Sequence, residues 1–406
     1  MKAIHAGTLI DGLADEPRED MEILIEAGTI AEVRPTEDGE IPPDATVLDH
    51  RDQTVLPGLI DAHLHVDGWH EHDPMAWLQD GVPLATARAT ADLRTLLENG
   101  FTTIRDVGSR TGLGLKAAVG EGSIPGPRIY TSERLISQTA GHGDIHFLDH
   151  EWVADSQDWV GILADGADEC RRETRKLVRK GVDLVKIMTT GGVLSEKDSP
   201  YHAHMSDAEI AAVTEEAHRV GIPVASHAEG AEGINNALRN GVDTIEHGFG
   251  LDETGRELMH ERGAYLVPTF AVMEQYLAQG EEVGVPEYAM EKIHGVKAQH
   301  VETVESAYED DIPIALGTDF SGSVLAPHGD NAMEASLLVA EVGMDEMDAI
   351  KAATSVAAEV LGTDSVGAIE PGRHADLVVL DEDPLQDVDA LRRVSRVYKG
   401  GDAVCV

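Results

Sequence analysis

The chain of 406 residues sets 31 lysines and arginines against 75 aspartates and glutamates, a formal net charge of -44, which argues against nucleic acid or an anionic membrane as partner. Its hydrophobic content of 42% and charged content of 26% are those of an ordinary globular protein, long enough for one large α/β domain and a smaller module. The acids are interspersed along the whole chain, so they coat a folded surface. Such a coat repels itself unless counterions screen it, the pattern expected of a halophilic protein working at high salt.

Cys170 and Cys405 are the only cysteines, which leaves no disulfide framework and no thiolate metal cage. The opening residues lack the apolar stretch of a secretory signal, and no window approaches the roughly eighteen apolar residues of a membrane span. The expectation is a soluble, cytoplasmic protein.

Residues 1–55 read as short strands joined by turns: 2–5, 8–12, 21–28, 29–34 and 46–49 show partial apolar/polar alternation broken by Gly, Asp and Pro. Segments 376–381, 394–401 and 403–406 have the same texture. Chain ends often lie close together at a domain surface, so 1–55 and 371–406 are predicted to form one composite β-sandwich. Between them, residues 56–370 alternate strand and helix, the signature of βαβ units and a parallel sheet. The candidate strands are 58–65, 102–107, 128–131, 183–188, 223–227, 244–247, 265–270 and 313–319. Helical patterns separate them, among them 84–99, 167–180, 207–220, 230–240 and 287–309, and Ser206-Asp-Ala-Glu209 is a capping box for one of these. Eight such repeats over about 260 residues predict an α/β fold of the (β/α)8 TIM-barrel type, with its active site at the carboxyl ends of the strands.

The apolar run Leu59-Ile-Asp-Ala-His63-Leu-His65 ends in two histidines one residue apart. On a strand, residues i and i+2 share a face, so both imidazoles project the same way and make half of a transition-metal site. Whether the pair is a site or an accident turns on what the other strand ends supply. Lys186 stands inside the apolar run 182–188, where a charged and unpaired lysine is costly, so it either snorkels at an edge or is chemically special. The fifth candidate strand ends Ser226-His227-Ala-Glu229, the sixth Ile245-Glu-His247, the eighth Gly317-Thr-Asp319. Each alone reads equally well as a satisfied structural residue. Together with His63 and His65 they converge on the mouth of one predicted barrel.

These motifs, with the opening Leu56-Pro-Gly-Leu and the closing Gly367-Ala-Ile-Glu-Pro-Gly-Arg-His-Ala-Asp-Leu-Val-Val-Leu, resemble the amidohydrolase superfamily in its binuclear-metal form with a bridging lysine. Within it the chain looks most like the imidazolonepropionase-related group that includes metal-dependent Xaa-Pro dipeptidases (prolidases), on the strength of Gly191-Gly192, Gly141-His142-Gly-Asp144 and Pro327-His328-Gly-Asp330-Asn331. The resemblance implies that His63, His65 and Asp319 hold one divalent ion and His227 and His247 a second, with Lys186, carboxylated by CO2, bridging them. Zinc suits such ligands best, with manganese, cobalt or iron as alternatives. It further implies that a hydroxide shared by the ions is the nucleophile, that Asp319 is general base and acid, and that His142 polarises the scissile carbonyl. His142 has a plainer reading, in which it only ties down its glycine-flanked loop. Substrate contacts are expected from His142, Gly191, Gly192, Glu229 and His328.

Members of the dipeptidase-like group commonly carry His-Ala-His-Gly where this chain has His227-Ala-Glu229-Gly. The ligand position is kept, and Glu229 is expected to add a negative charge that disfavours a substrate carboxylate or favours a cation. His202-Ala-His204 repeats the spacing of the first pair but follows a proline and precedes a helix cap, which points to loop geometry. Trp69, His70, His72 and Trp77 fall where barrels carry specificity loops and are candidate lid residues, with surface packing as the alternative. Asp106, ending the second strand, reads as a structural hydrogen-bond acceptor.

The expected activity is hydrolysis of an amide-type C–N bond in a small molecule, an Xaa-Pro or related dipeptide or an N-acyl amino acid, by a homo-oligomer. The alternatives are a cyclic amide, as in imidazolonepropionase or dihydroorotase chemistry, and a metal-binding protein without catalysis. The presence of all six ligand positions weighs against the last.

Overall fold

The computed structural model describes residues 1–71 and 74–404; the side chains of residues 74 and 76–78 are not described. The N-terminal part supplies β1 (Lys2–Leu9), β2 (Arg18–Glu26), β3 (Thr29–Pro35) and β4 (Thr46–Pro57). The middle supplies β5 (Leu59–Leu64), β6 (Phe101–Asp106), β7 (Arg128–Thr131), β8 (Leu135–Ser137), β9 (Gly161–Leu163), β10 (Val185–Met188), β11 (Val224–Ala228), β12 (Thr244–His247) and β13 (Tyr265–Val267). The end adds β14 (Leu377–Leu380), β15 (Val394–Lys399) and β16 (Asp402–Ala403).

Both ends of the chain share one seven-stranded sheet in the order β16-β15-β14-β4-β1-β2-β3. They therefore pair as the sequence predicts, but in one hydrogen-bonded sheet rather than as two separate faces, and β4 runs past the expected boundary at residue 55. Segments 2–5 and 8–12 are not two strands: β1 is continuous through Gly7, where its register against β4 shifts. The glycine marks a bulge rather than a turn, since a Cβ there would lie 2.2 Å from the Arg51 carbonyl oxygen. Cys405 lies outside the described residues.

The inner strands are parallel and form a three-stranded sheet, β5-β6-β7, and a six-stranded one, β13-β12-β11-β10-β8-β9. Every residue of β5, β6, β10, β11 and β12 is buried, including the polar and charged ones that β6, β11 and β12 carry. Helices Pro74–Glu98, Ala167–Lys180, Asp207–His218, Ala231–Arg239 and Glu287–Glu309 fall where the alternation puts them, the first interrupted at Gly81 (φ 67°). The capping box is formed, with the Ser206 backbone N–H donating to the Glu209 carboxylate at 2.6 Å. Leu64, Ile104, Ile187, Ile210, Ile245 and Leu266 belong to one apolar core between strands and helices.

Three expectations need correction. Segment 313–319 is not a regular strand; it makes isolated parallel bridges, Ile314 to Leu266 and Phe320 to Leu64. It nevertheless bonds on both sides, Ala315 N to Leu266 O at 2.9 Å and Ala62 N to Leu316 O at 2.8 Å. Gly317 lets it approach β5, since a Cβ there would lie 2.7 Å from His63 Cβ, and Asp319 with φ 58° breaks the extended run. Second, the strand expected over 265–270 ends at Val267, because Pro268 and Thr269 (φ 59°) turn the chain into helix Phe270–Val283. Third, β8 and β9, three residues each, are too short to show a period in sequence.

Among the described residues no helix is long and apolar enough to cross a membrane. Dilution from high salt into fresh low-salt buffer is expected to lower the melting temperature, because the self-repulsion of a -44 chain goes unscreened. A melting temperature independent of salt would refute that reading of the acidic surface.

Candidate metal centre

Alternation along β5 places Asp61, His63 and His65 on one face. Ligand atoms of His63, His65 and Asp319 all lie within 4.8 Å of one another. The His63 ring sits 5.0 Å from that of His247, and the His247 ring 4.7 Å from that of His227, centroid to centroid. Four histidines from three strands thus form one chain of rings beside Asp319.

Each histidine has one nitrogen tied to a group outside the cluster. His63 Nδ1 pairs with Glu246 Oε2 at 2.6 Å, His65 Nδ1 with the Gly108 carbonyl at 2.6 Å, and His247 Nδ1 with Thr269 Oγ1 at 2.8 Å. His227 is tied by its other nitrogen, Nε2, to the Gly191 carbonyl at 3.0 Å. A ring nitrogen held this way fixes the tautomer and leaves the opposite lone pair for a cation. Burial, reinforced by neighbouring positive groups, pushes His227 and His247 well below the usual histidine range, so both are neutral imidazoles at ordinary pH. Burial opposes ionisation of Asp319, but the charges and hydrogen bonds of His63 and His65 outweigh it and hold the carboxyl well below its usual range.

Lys186 completes the cluster. Its side chain is buried, and its Nζ has no hydrogen-bond partner. An unsolvated ammonium is strongly disfavoured there, and burial pushes the amine down to about 8. A neutral amine is the form that adds CO2, and the resulting carbamate would be an anionic oxygen ligand. The orphaned nitrogen and the four oriented histidines therefore fit divalent metal, and the fold brings these residues together at one place.

Two residues that sequence reasoning passed over support this arrangement. Glu246 lies in register with His227 on the neighbouring strand and so faces the same way, and Arg105 binds it at 2.7 Å in a fully buried ion pair. That charge holds Glu246 well below the usual carboxylate range despite burial, and keeps it an acceptor for His63. By the same alternation His247 would face away from the site. Its φ of 72° turns it back, and Thr269, which anchors it, also has positive φ, at 59°. Such conformations in β-branched or bulky residues persist only when surroundings over-determine them, and they cluster at functional sites.

A cavity of about 280 Å³ opens beside His65 and Asp319, lined largely by Trp69, Leu135, Phe147, Trp159, Leu194 and Tyr276. A smaller recess of about 70 Å³ lies against His227, His247 and Glu229. His142 borders both. The sequence profile of the amidohydrolase family matches residues 54–404, most of the chain. The chain belongs to the amidohydrolase family. It is 34% identical to the ochratoxinase of Aspergillus niger over 98% of this chain and 85% of that protein. The solved structure of a Xaa-Pro dipeptidase with bound methionine in the active site matches with a TM-score of 0.90 at 33% identity, covering 99% of both chains. A prolidase complexed with N-methylphosphonate-L-proline matches with a TM-score of 0.92 at 32% identity, again over 99% of both.

In this amidohydrolase the residues expected to touch substrate divide into two groups. His142 stacks on His227 at 4.2 Å, with Nδ1 tied to Ser195 Oγ at 2.7 Å. Gly192 makes room for that ring, since a Cβ would lie 2.2 Å from His142, and Gly191 supplies the carbonyl that orients His227. His328 is placed differently: it bonds the backbone carbonyl of His65 at 3.1 Å and borders none of the cavities beside the centre, so it steadies a ligand strand. Glu229 lines the recess, and burial, with the nearby charges of Asp198 and Asp319, raises its carboxyl well above the usual range. Asp106 accepts from Ser109 and Thr131 hydroxyls and is structural, as read. His202 and His204 lie on a loop where Ala203 bridges Thr190, and neither belongs to the group of His63, His65 and Asp319. Trp69 lines the cavity, His70 pairs with Asp92 at 2.9 Å, and His72 and the Trp77 side chain lie outside the described residues.

Thr269→Val keeps the side-chain shape while deleting the hydroxyl that holds His247. It is expected to weaken metal binding about 10- to 100-fold in a chelator competition. Wild-type affinity in that variant would remove Thr269 as the anchor of a ligand.

Proposed function

We propose that this amidohydrolase is a metal-dependent hydrolase of an amide-type C–N bond in a small molecule, an Xaa-Pro or related dipeptide or an N-acyl amino acid. The observation that carries it is the convergence, on the inner strands and the residues that follow them, of Asp319, the unpartnered Lys186 amine and four histidines, each held through one nitrogen by a group outside the cluster. Ochratoxinase and prolidase relatives matched over nearly the whole chain support the bond type. The hydrogen bonding of segment 313–320 to both β13 and β5 supports a closed (β/α)8 barrel over 56–370.

His63, His65 and Asp319 would hold one ion, His227 and His247 the other, and a carboxylated Lys186 both. Divalent ions, zinc foremost, supply there a water of lowered pKa and a Lewis acid for a carbonyl oxygen. Asp319, an anion between two imidazoles, takes the attacking water's proton and delivers it to the leaving amine. His142, pinned through Nδ1 to Ser195, presents Nε2 to the substrate carbonyl as a fixed donor. The apolar cavity holds the bulk of the substrate and keeps water from the reacting bond.

The test is a panel of dipeptides and N-acyl amino acids followed by amine release. Release from any member is expected. No release from linear members, with turnover of a ring amide, would move the assignment to a cyclic substrate.

A further inference from the structure

The two recesses beside the ligand histidines differ in chemistry as well as size. The larger is walled by aromatic and aliphatic side chains. The smaller is apolar on its outer wall, Phe249, Met273 and Ile293, and carries the Glu229 carboxyl beside the ligands. Glu229 is 2% exposed, and its Oε2 has no hydrogen-bond partner. The carboxyl takes a hydrogen bond from the Val193 N–H, and Oε1 lies 3.6 Å from His227 Nε2. Lys292, the nearby cation, is already spent on the carbonyls of Gly192, Ser195 and Asp198. A buried acceptor left open beside a reaction centre costs stability unless a ligand completes it.

None of the residues lining either recess, or the outer cavity contiguous with them, is lysine or arginine. The site therefore offers no side-chain cation to clamp a substrate carboxylate, and offers one oxygen to a donor. Glu229 follows the ligand His227 by two residues and shares its recess with His142 and Asp319, so a group bound to it lies within a few bonds of the scissile carbonyl. In an aminoacyl amide, that group is the α-amino nitrogen.

The geometry points to Glu229 as the specificity residue of this site, accepting a hydrogen bond from the free α-amino group of an aminoacyl amide whose amine portion is bulky and apolar. This rests on the hydrolase reading above and narrows it: substrates with a free amine on the acyl side are taken, and N-acylated ones are not. The large apolar cavity then takes the leaving portion.

Calorimetric titration of the metal-loaded protein with L-leucine and with 4-methylpentanoate, the same acid without the amine, tests this without turnover because neither holds an amide bond, so its outcome is separate from that of the hydrolysis panel. The wild type is expected to bind the free amino acid about tenfold more tightly or better, the worth of one good hydrogen bond to a carboxyl. Glu229→Met, of similar length without an acceptor, is expected to lose that preference, while Glu229→Gln, which keeps one acceptor oxygen, retains part of it. Equal wild-type binding of the two ligands, tighter binding of the one without an amine, or failure to bind either would overturn the assignment. So would a preference undiminished in a Glu229→Met variant that melts like the wild type.

Discussion

Lys186→Ala is expected to lose at least one metal ion per chain and nearly all turnover while the protein still folds. The amine lies buried without a hydrogen-bond partner, in a strand whose every residue is buried. Truncation removes a group that is a liability to the fold on its own, so stability should hold or rise. On the proposed reading, what disappears is the anchor that a carboxylated Lys186 would give both halves of the centre, and with it the anionic charge that would offset two cations. Metal analysis of the purified variant reads the effect, and a full complement of metal would sink the bridging role.

Asp319→Asn is expected to cut kcat by about 10²- to 10⁴-fold, the usual worth of a positioned proton-transfer group, with little change in melting temperature. The amide occupies the same volume and can still meet His65 Nε2, which lies 3.0 Å from the carboxylate in the wild type. It cannot accept and return a proton. Near-wild-type kcat in a correctly folded variant would exclude Asp319 as the proton shuttle.

Much of this site was legible from two simple signals. Period-two alternation put His63 and His65 on one face, and a lysine inside an apolar strand marked Lys186 as chemically unusual. The second signal stood equally at Arg105, inside 101–106, and went unread. Its meaning depends on Glu246, which is 141 positions away in sequence and meets it only across the folded sheets. His247 was found as a histidine at a strand end, but adjacent residues on a strand face opposite ways, and only the positive φ brings both Glu246 and His247 to the centre. Segment 313–319 looked like a strand because it opens with the apolar stretch Ile314-Ala-Leu316. Gly317 and Asp319 instead give it the irregular path that carries the aspartate to the histidines. At Glu229 a sequence shows an acid but not its burial, and burial pushes that carboxyl well above the usual range.

The central claim is a two-ion centre built on His63, His65, Lys186, His227, His247 and Asp319. Metal analysis of the wild-type protein, prepared with divalent metal and bicarbonate and then freed of loosely bound ions, tests it most directly. About two ions per chain are expected, falling together with amide hydrolysis on chelation and returning with it on reloading. Protein that folds under those conditions and retains no metal would contradict the claim.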